Sequence, residues 1–290
     1  MKPNVAFALG GGGSKGALQV GALRALFEAG IKPDILTGTS IGALNSVGLG
    51  IWGTELSTID RMEAAWKQVE NMQLMDPRFQ NLIIRAMIHK PDTSAQQKTI
   101  DYLTSIGITP DLTFRDIHST RVGVVSANLT SGSPVIYGLD PREKILEGCL
   151  ASIAIQPWFM PVQIDGQYLV DGGFVSNVPI EAALLMGAGG VIALDLNAPD
   201  TSMGDSVNQY IDRVTFTVTS RITHLEIQLA RAQGIPIYHM TLTGSNTPSS
   251  DFSKSTELFP KGYEQAKSQI TQWLEKEPDL VAKLMASDSA

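Results

Sequence analysis

A serine set between two glycines is the residue of this chain best suited to covalent chemistry. The stretch Gly38–Gly42, GTSIG, follows the short apolar run 35–37 and precedes a small-residue helical pattern at 43–51. A G-x-S-x-G pattern between a strand and a helix is typical of a nucleophile elbow, in which a sharp turn lifts the hydroxyl, here that of Ser40, above the sheet. Glycine suits both flanking positions because a Cβ there would clash with the neighbouring strand and helix. Glycine and serine are common residues, so this pattern alone has low specificity.

A glycine-rich loop precedes this stretch by one strand–helix unit. Gly11, Gly13 and Gly16 lie in the sequence GGGSKG, between the apolar run 5–9 and a helical pattern. Such a loop can bind a dinucleotide, a nucleotide phosphate or the oxyanion of a tetrahedral intermediate, because its amides and the helix dipole favour negative charge. A tight turn without a ligand is the fourth interpretation.

The residue order discriminates between these interpretations. A phosphate-binding P-loop requires Gly-Lys-Ser/Thr, whereas the order here is Ser14-Lys15-Gly16. A dinucleotide-binding fold would place its ribose-binding acid at the end of the second strand, but Asp34 precedes the second apolar run. That run leads instead into Ser40, and adjacent strand-to-helix turns of a parallel sheet open at the same edge. The two motifs together favour acyl transfer, with amide donors from one turn and a nucleophile from the other.

A carboxylate at a strand end is the third candidate. Asp171 follows the strand pattern 167–170 and precedes Gly172 and Gly173. In an isolated sequence, Asp-Gly-Gly at such a position is more often a turn than a placed carboxylate. Its combination with the other two motifs is what favours a chemical role.

Together the three motifs resemble the patatin-like phospholipase family. Their order and spacing agree with that family, and so do the intervening pairs Ala151-Ser152, Pro161-Val162 and Asp165-Gly166 and the triplet Asn177-Val178-Pro179. The resemblance spans roughly residues 4–198. It implies a serine acyl hydrolase that cleaves fatty-acyl esters of lipids through an acyl-enzyme intermediate, without a metal or another cofactor.

The resemblance also implies a role for each motif. Ser40 is the nucleophile and Asp171 its partner in a Ser–Asp dyad. The oxyanion hole is formed by Gly11, Gly12 and Gly13, and the remaining motif glycines are Gly16, Gly38, Gly42, Gly172 and Gly173. Gly173 stands where some members of the family have alanine.

Histidine is the usual base for a serine nucleophile, so the histidines need separate consideration. The chain has four, namely His89, His118, His224 and His239. A triad in hydrolase order would combine Asp171 or Asp195 with His224 or His239, but neither histidine lies in a clear loop at a strand end. We therefore expect Asp171 to be the base and Asp195 to be structural. A carboxylate base is weak, so we expect burial to raise the pKa of Asp171, with the apolar wall 158–160 (Trp-Phe-Met) as the source.

Composition narrows the possible partners and the location. The net charge of −7 argues against binding to nucleic acid. A single cysteine, Cys149, fits a reducing compartment and a core position. No signal peptide and no membrane-spanning run is evident, and clustered His, Asp or Glu ligands for a metal are absent from the sequence pattern. The sequence predicts a cytoplasmic protein with a lipid or acyl-ester substrate and at most a peripheral contact with a membrane.

The pattern of elements predicts one α/β domain with a mixed, mostly parallel central sheet and helices on both faces. Hairpins are expected at 121–137 and 162–170, a helix at 140–152, and a helical insertion near 53–118. The catalytic region would span 4–198, and 199–290 would form an extension packed on the same domain. Within the insertion, 72–90 has an apolar face with basic residues beside it; we favour an ordinary packed helix over a lid or a membrane-docking segment.

Two other functional classes stay open at this point. A Rossmann-type nucleotide-binding protein would account for the glycine fingerprint alone. A lipid-binding regulatory protein with little turnover would retain the same motifs. The serine hydrolase is favoured because it accounts for all three motifs together.

Overall fold

A computed structural model of the chain describes residues 4–70, 72, 94–156, 159–197, 207–244 and 249–285. Its framework is a single sheet, to which the described residues contribute eight strands in the order β5-β6-β3-β2-β1-β7-β8, with β4 paired to β3 beside this path. The strands are β1 Val5–Leu9, β2 Ile35–Thr39, β3 Arg121–Asn128, β4 Pro134–Tyr137, β5 Val162–Ile164, β6 Gln167–Asp171, β7 Gly190–Asp195 and β8 Ile237–Thr241.

The helices connect these strands and cover the sheet. They are α1 Gly16–Glu28, α2 Ile41–Trp52, α3 Leu56–Glu70, α4 Ser94–Ser105, α5 Ile145–Ser152, α6 Ile180–Leu185, α7 Val207–Ala232, α8 Leu258–Lys276 and α9 Leu280–Met285. Short 3₁₀ turns occur at Gly13–Lys15, Phe114–Asp116, Gly172–Phe174 and Ser255–Glu257. Within the described part of the chain, no helix has both the length and the apolar character that crossing a bilayer requires.

The sheet is mixed, as predicted. Strands β3, β2, β1, β7 and β8 are parallel, whereas β4 and β6 run antiparallel to β3, and β5 is antiparallel to β6. The carboxyl ends of the parallel strands therefore share one edge, which we call the carboxyl edge. The opposite edge, where these strands begin, is called the amino edge.

Alternate residues of β1 enter two separate cores, which confirms helices on both faces. Phe7 and Leu9 pack with residues of α1, α2 and α8 on the first face. Ala6 and Ala8 pack with residues of α6 and α7 on the second. This period of two is what a strand buried on both sides requires.

Both predicted hairpins are present. β3 pairs with β4, and β5 pairs with β6. The turn between β5 and β6 has positive φ angles at Asp165 (48°) and Gly166 (75°). Positive φ at both central residues is the requirement of a type I′ turn, which Asp-Gly supplies.

The predicted helix at 140–152 was wrong in its first turn, because α5 begins only at Ile145. Asp140 instead caps a turn by accepting the Arg142 N–H at 2.9 Å. The next residues bond to another loop, since Phe114 N–H donates to the Glu143 carbonyl and Arg115 N–H to the Pro141 carbonyl. Long-range backbone pairing thus replaces the first helical turn. The insertion at 53–118 contains α3 and α4, as expected, whereas residues 73–90 of the 72–90 segment lie outside the described residues.

Close packing fixes the turn between β2 and α2. A Cβ at Gly38 would overlap the carbonyl oxygen of Gly42, and a Cβ at Gly42 would overlap the carbonyl oxygen of Leu9 in β1. Both residues must therefore be glycine for α2 to start this close to the strands. The result is a rigid turn at the carboxyl edge with Ser40 at its apex.

Candidate active site

Ser40 has a strained backbone. It has φ 54° and ψ −124°, and it is one of two residues other than glycine with positive φ in the described chain. Such a conformation costs of the order of 1–3 kcal/mol and persists only where the surroundings enforce it. Although Ser40 is the N-cap of α2, its side chain makes no capping hydrogen bond. The hydroxyl is therefore available for chemistry at the positive end of the helix dipole.

A second serine holds this strained turn. The Ser40 N–H donates to the Ser152 hydroxyl at 2.9 Å, and that hydroxyl donates to the Val125 carbonyl at 2.6 Å. Ser152 is fully buried at the end of α5, so this bridge is shielded from water. Sequence reasoning gave Ser152 no role, because only the three-dimensional arrangement brings α5 beside the turn.

Asp171 lies at the same edge of the sheet as Ser40. In the sheet register, Thr39 of β2 pairs with Val125 of β3, and the next β3 residue, Ser126, pairs with Asp171 of β6. Because β6 runs antiparallel to β3, it enters from beyond the edge and stops where Asp171 reaches the level of the serine turn. The structure thus brings the two predicted dyad residues together.

The Asp171 carboxylate is buried and only partly satisfied. Its Oδ1 accepts the Gly173 N–H at 2.8 Å, while Oδ2 has no hydrogen-bond partner of standard geometry among the described residues. Burial raises the pKa of Asp171 to about 6. The Ser40 hydroxyl and the Gly173 N–H act in the opposite direction, because both favour the ionised form, but their effect is smaller than that of burial.

The expected source of this burial is described only in part. Trp158 lies outside the described residues, Phe159 is buried, and Met160 is exposed. The raised pKa itself agrees with the expectation from the sequence.

The glycine loop lies directly against the serine turn. A Cβ built on Gly11 would be 3.2 Å from the Ser40 Cβ. The Gly11 N–H, however, donates to the Asn177 carbonyl at 3.0 Å and is not available to an oxyanion. Within the described chain, no hydrogen bond occupies the N–H groups of Gly12 and Gly13. Of the three glycines predicted to form the oxyanion hole, Gly12 and Gly13 therefore keep an N–H group without a partner among the described residues.

A buried amide network anchors the loop to α1 and α2. Gln19 Nε2 donates to the Gly10 carbonyl at 2.8 Å, and Asn45 Nδ2 donates to the Gly16 carbonyl at 3.0 Å. Asn45 also donates to Gln19 Oε1 at 2.9 Å and accepts the Trp66 indole N–H at 3.1 Å. A fully satisfied buried network of this kind is rigid. It holds both ends of the loop in place, and sequence reasoning had missed it.

The histidines that are described lie away from Ser40. His239 forms a 3.0 Å pair with Asp195, but its strand β8 lies three strands from β2, roughly 14 Å at the usual spacing. His118 precedes β3 at the amino edge, and His224 is exposed on α7. His89 lies outside the described residues. A histidine base for Ser40 thus has no support among the described histidines.

Asp34 also lies at the wrong edge for a dinucleotide site. Its carboxylate accepts the Val5 N–H at 2.9 Å, at the start of β1. The glycine loop follows the other end of β1. Asp34 therefore joins β1 to β2 at the amino edge and does not face the loop.

An apolar cavity of about 50 Å³ lies along α2, and its lining includes Ile41, the residue after Ser40. Ile41, Leu44, Gly48 and Trp52 line it from one face of α2, and α3 and α4 close the other side. These α2 positions follow helical spacing from the residue after Ser40. A cavity of this size is several times the minimum that holds a water molecule, roughly 10–15 Å³, and it is lined almost entirely by apolar side chains.

Comparisons with known proteins agree with these features. The family described as patatin-like phospholipase matches residues 7–184. Patatin-like phospholipase domain-containing protein 7 of Rattus norvegicus is 31% identical over 211 residues, which are 70% of this chain and 15% of that protein. Neuropathy target esterase sws of Drosophila melanogaster is 29% identical over 224 residues, which are 71% of this chain and 14% of that protein. The chain thus spans about 15% of the length of the first of these relatives.

Among solved structures, VipD from Legionella pneumophila has a TM-score of 0.48 and 15% sequence identity, with 94% of this chain and 67% of that chain covered.

The raised pKa of Asp171 predicts a pH-dependent effect on stability. The folded-state pKa of about 6 exceeds the unfolded value of 3.8, so the folded state keeps a proton that the unfolded state has released between these pH values. Stability therefore falls as pH rises through this window. We expect Asp171→Asn to raise the free energy of unfolding by on the order of 2–3 kcal/mol at pH 8 and by much less at pH 4.

Urea unfolding at the two pH values measures this difference. Asp251→Asn is the control, because hydrogen bonds to Ser253 lower the pKa of Asp251 and its ionised form is stabilising. That variant should lose stability at pH 8. An Asp171→Asn protein that gains no stability at pH 8 would contradict burial of the charge.

Proposed function

Because the chain belongs to the patatin-like phospholipase family, we propose that it hydrolyses fatty-acyl ester bonds of lipids, with Ser40 as nucleophile and Asp171 as base. The observation that carries the proposal is the strained Ser40 turn beside a buried carboxylate with one unpartnered oxygen. A strained serine at the start of a helix is typical of a nucleophile elbow. The name of one relative, an esterase, is consistent with this reaction class.

The proposed cycle uses only groups of this chain. The Ser40 hydroxyl attacks the ester carbonyl carbon while its proton passes to Asp171 Oδ2. The tetrahedral intermediate collapses, the alcohol leaves with that proton, and an acyl group remains on Ser40. Water then attacks the acyl-enzyme and gives a proton to Asp171. As the bond from Ser40 Oγ to the acyl carbon breaks, Asp171 passes that proton to Oγ, so the fatty acid is released and both groups return to their starting state. A pKa of about 6 suits Asp171 to this task, because it is ionised near neutral pH and binds a proton more strongly than an ordinary aspartate.

The oxyanion would be stabilised by backbone amides. We assign this role to the Gly12 and Gly13 N–H groups, supported by their lack of other partners in the described chain. Removal of one such donor typically costs roughly 10²–10³ in turnover. The dipole of α2 adds positive potential at the same place.

The acyl chain would enter the cavity along α2. Its lining residues on α2 run from Ile41, which follows the proposed nucleophile, to Trp52, and these two positions are about 16 Å apart along the helix at 1.5 Å per residue. Its apolar lining suits a hydrocarbon chain and disfavours a charged group.

The domain bounds and the location of the protein belong to the same proposal. The catalytic region would span 4–198, with 199–290 as an extension of the same domain, and the protein would act as a cytoplasmic enzyme that meets membranes only peripherally. A lipid-binding protein with little turnover has the same motifs, so turnover itself must be measured. The nucleotide-binding alternative is disfavoured by the position of Asp34 at the amino edge.

A fluorophosphonate probe tests the nucleophile directly. We expect the wild-type chain to be labelled at Ser40 and Ser40→Ala to show no labelling, because the probe reacts only with an activated hydroxyl. His224→Asn and His239→Asn are the controls and should be labelled as the wild type is. Absence of labelling in folded wild-type protein would refute the hydrolase, and loss of labelling in either histidine variant would refute the dyad.

Ser152 should act on catalysis by positioning Ser40. Ser152→Ala removes the acceptor of the Ser40 N–H, so the strained turn relaxes and the hydroxyl shifts. We expect kcat on a soluble ester to fall about tenfold to a hundredfold, with KM little changed. Ser255→Ala is a matched control, because Ser255 is also fully buried but its hydroxyl has no hydrogen-bond partner in the described chain. Equal kcat values for the two variants would remove this role from Ser152.

The cavity makes a prediction about chain length. A Cβ at Gly48 would lie 3.4 Å from the Trp52 ring, an ordinary contact, so Gly48→Ala should be tolerated. Gly48→Leu extends into the cavity and should lower kcat/KM for long-chain p-nitrophenyl esters much more than for the butanoate. An equal decrease for all chain lengths would show that the acyl group binds elsewhere.

A further inference from the structure

Helix α7 has a large share of the exposed apolar surface. Of the twelve large hydrophobic side chains that are exposed in the described residues, five lie on α7: Tyr210, Val214, Val218, Leu225 and Leu229. At 3.6 residues per turn, the four aliphatic members fall within about 60° of the helix circumference. They form one continuous stripe, which we call the α7 apolar stripe.

Basic side chains border this stripe on one side. By the same helical spacing, Arg213, Arg221, His224 and Arg231 fall in the adjacent sector of the helix surface. None of the three arginines forms an ion pair within the described part of the chain. Glu226, an acidic residue of α7, is buried on the other side, where it accepts the Glu181 N–H at 2.8 Å. The exposed face of α7 is therefore apolar and basic.

The first half of α7 extends past the carboxyl edge. Asn197, two residues beyond β7, donates from Nδ2 to the Thr219 hydroxyl at 2.9 Å, which places Thr219 level with that edge. The helix continues from there along the sheet, with Ile227 and Ala230 in the second core. Residues 207–218 precede this level and extend about 18 Å beyond it, at 1.5 Å per residue. These residues therefore extend beyond the carboxyl edge, where Ser40 and Asp171 lie.

We propose that this face of α7 docks the protein on an anionic phospholipid bilayer and thereby presents the carboxyl edge to its substrate. The proposal rests on the lipid hydrolase proposed above. Apolar side chains beside arginines that have no ion-pair partner among the described residues match the boundary between acyl chains and phosphate groups. The whole chain carries a net charge of −7 and is repelled by such a surface, so attraction from this local patch also sets the orientation.

Charge also favours lipid over a second copy of the chain. In a two-fold symmetric contact, the same patch faces itself, so the arginines of the two copies would be brought close together. Like charges in contact disfavour that assembly. An anionic surface satisfies the same arginines.

Vesicle co-sedimentation of the full chain tests the docking surface, with Ser40→Ala as background so that binding is measured without hydrolysis. We expect tighter binding to vesicles of phosphatidylcholine mixed with phosphatidylglycerol than to phosphatidylcholine alone, and weaker binding at high salt. Val214→Asp with Val218→Asp should weaken binding at least about tenfold, and Arg221→Gln or Arg231→Gln by about fivefold each. The control is Leu139→Asp, which alters an exposed leucine after β4 at the amino edge and should leave binding unchanged.

A soluble ester separates this proposal from the proposed function. The double variant Val214→Asp with Val218→Asp, made with Ser40 intact, should hydrolyse the soluble ester as the wild type does. It should lose activity only on mixed vesicles. The docking surface is refuted if the wild type does not bind mixed vesicles. It is equally refuted if the double valine-to-aspartate variant and Leu139→Asp bind mixed vesicles with the same affinity. It is also refuted if light scattering shows that the wild type is a dimer and that the double valine-to-aspartate variant is a monomer. Failure of the wild type on the soluble ester would refute the hydrolase and leave the binding result intact.

Discussion

The close approach of three backbone segments at the serine turn is the constraint on which the rest of the site depends. Gly38 and Gly42 allow α2 to begin in contact with β1 and β2, and Ser40 must then adopt a positive φ. The strain is offset by surrounding contacts, chiefly the Ser152 bridge to Val125. Because the turn is rigid, the Cβ of Ser40 has one position relative to the glycine loop. A flexible loop would lose that alignment, and with it the advantage of a pre-organised site.

Burial of Asp171 is the second requirement, and it acts against stability. A buried carboxylate with one oxygen that has no hydrogen-bond partner among the described residues destabilises the folded chain at neutral pH. The same burial raises its pKa and makes it a better base than an exposed aspartate. Sites of this kind are often the places where a protein departs from its own stability rules. The fully bonded Gln19–Asn45 network next to the glycine loop has the opposite character, since it adds rigidity without any unpaired group.

Local sequence signals predicted much of this fold because they depend on local chemistry. The apolar run of β1 and the Asp165-Gly166 turn each specify their own conformation, and both are present as expected. The first turn of the predicted helix at 140–152 failed because residues 112–115 bond to that segment from a distance. For the same reason, Ser152 could not be assigned from its neighbours in sequence. Its partner is the strained N–H of Ser40, which only the assembled sheet brings near.

Strand order explains how Asp171 lies beside Ser40 although the two residues are far apart along the chain. Both neighbours of β2 are parallel to it, and after β1 the chain continues at this edge into the glycine loop and α1. The antiparallel β6 instead arrives from above the edge and ends at Asp171, after which the 3₁₀ turn at Gly172–Phe174 leads away from the edge. The carboxylate thus reaches the level of Ser40 from the end of a strand. The mixed sheet is therefore what brings Asp171 beside Ser40, since only a strand antiparallel to β3 enters from beyond the carboxyl edge and ends at this level.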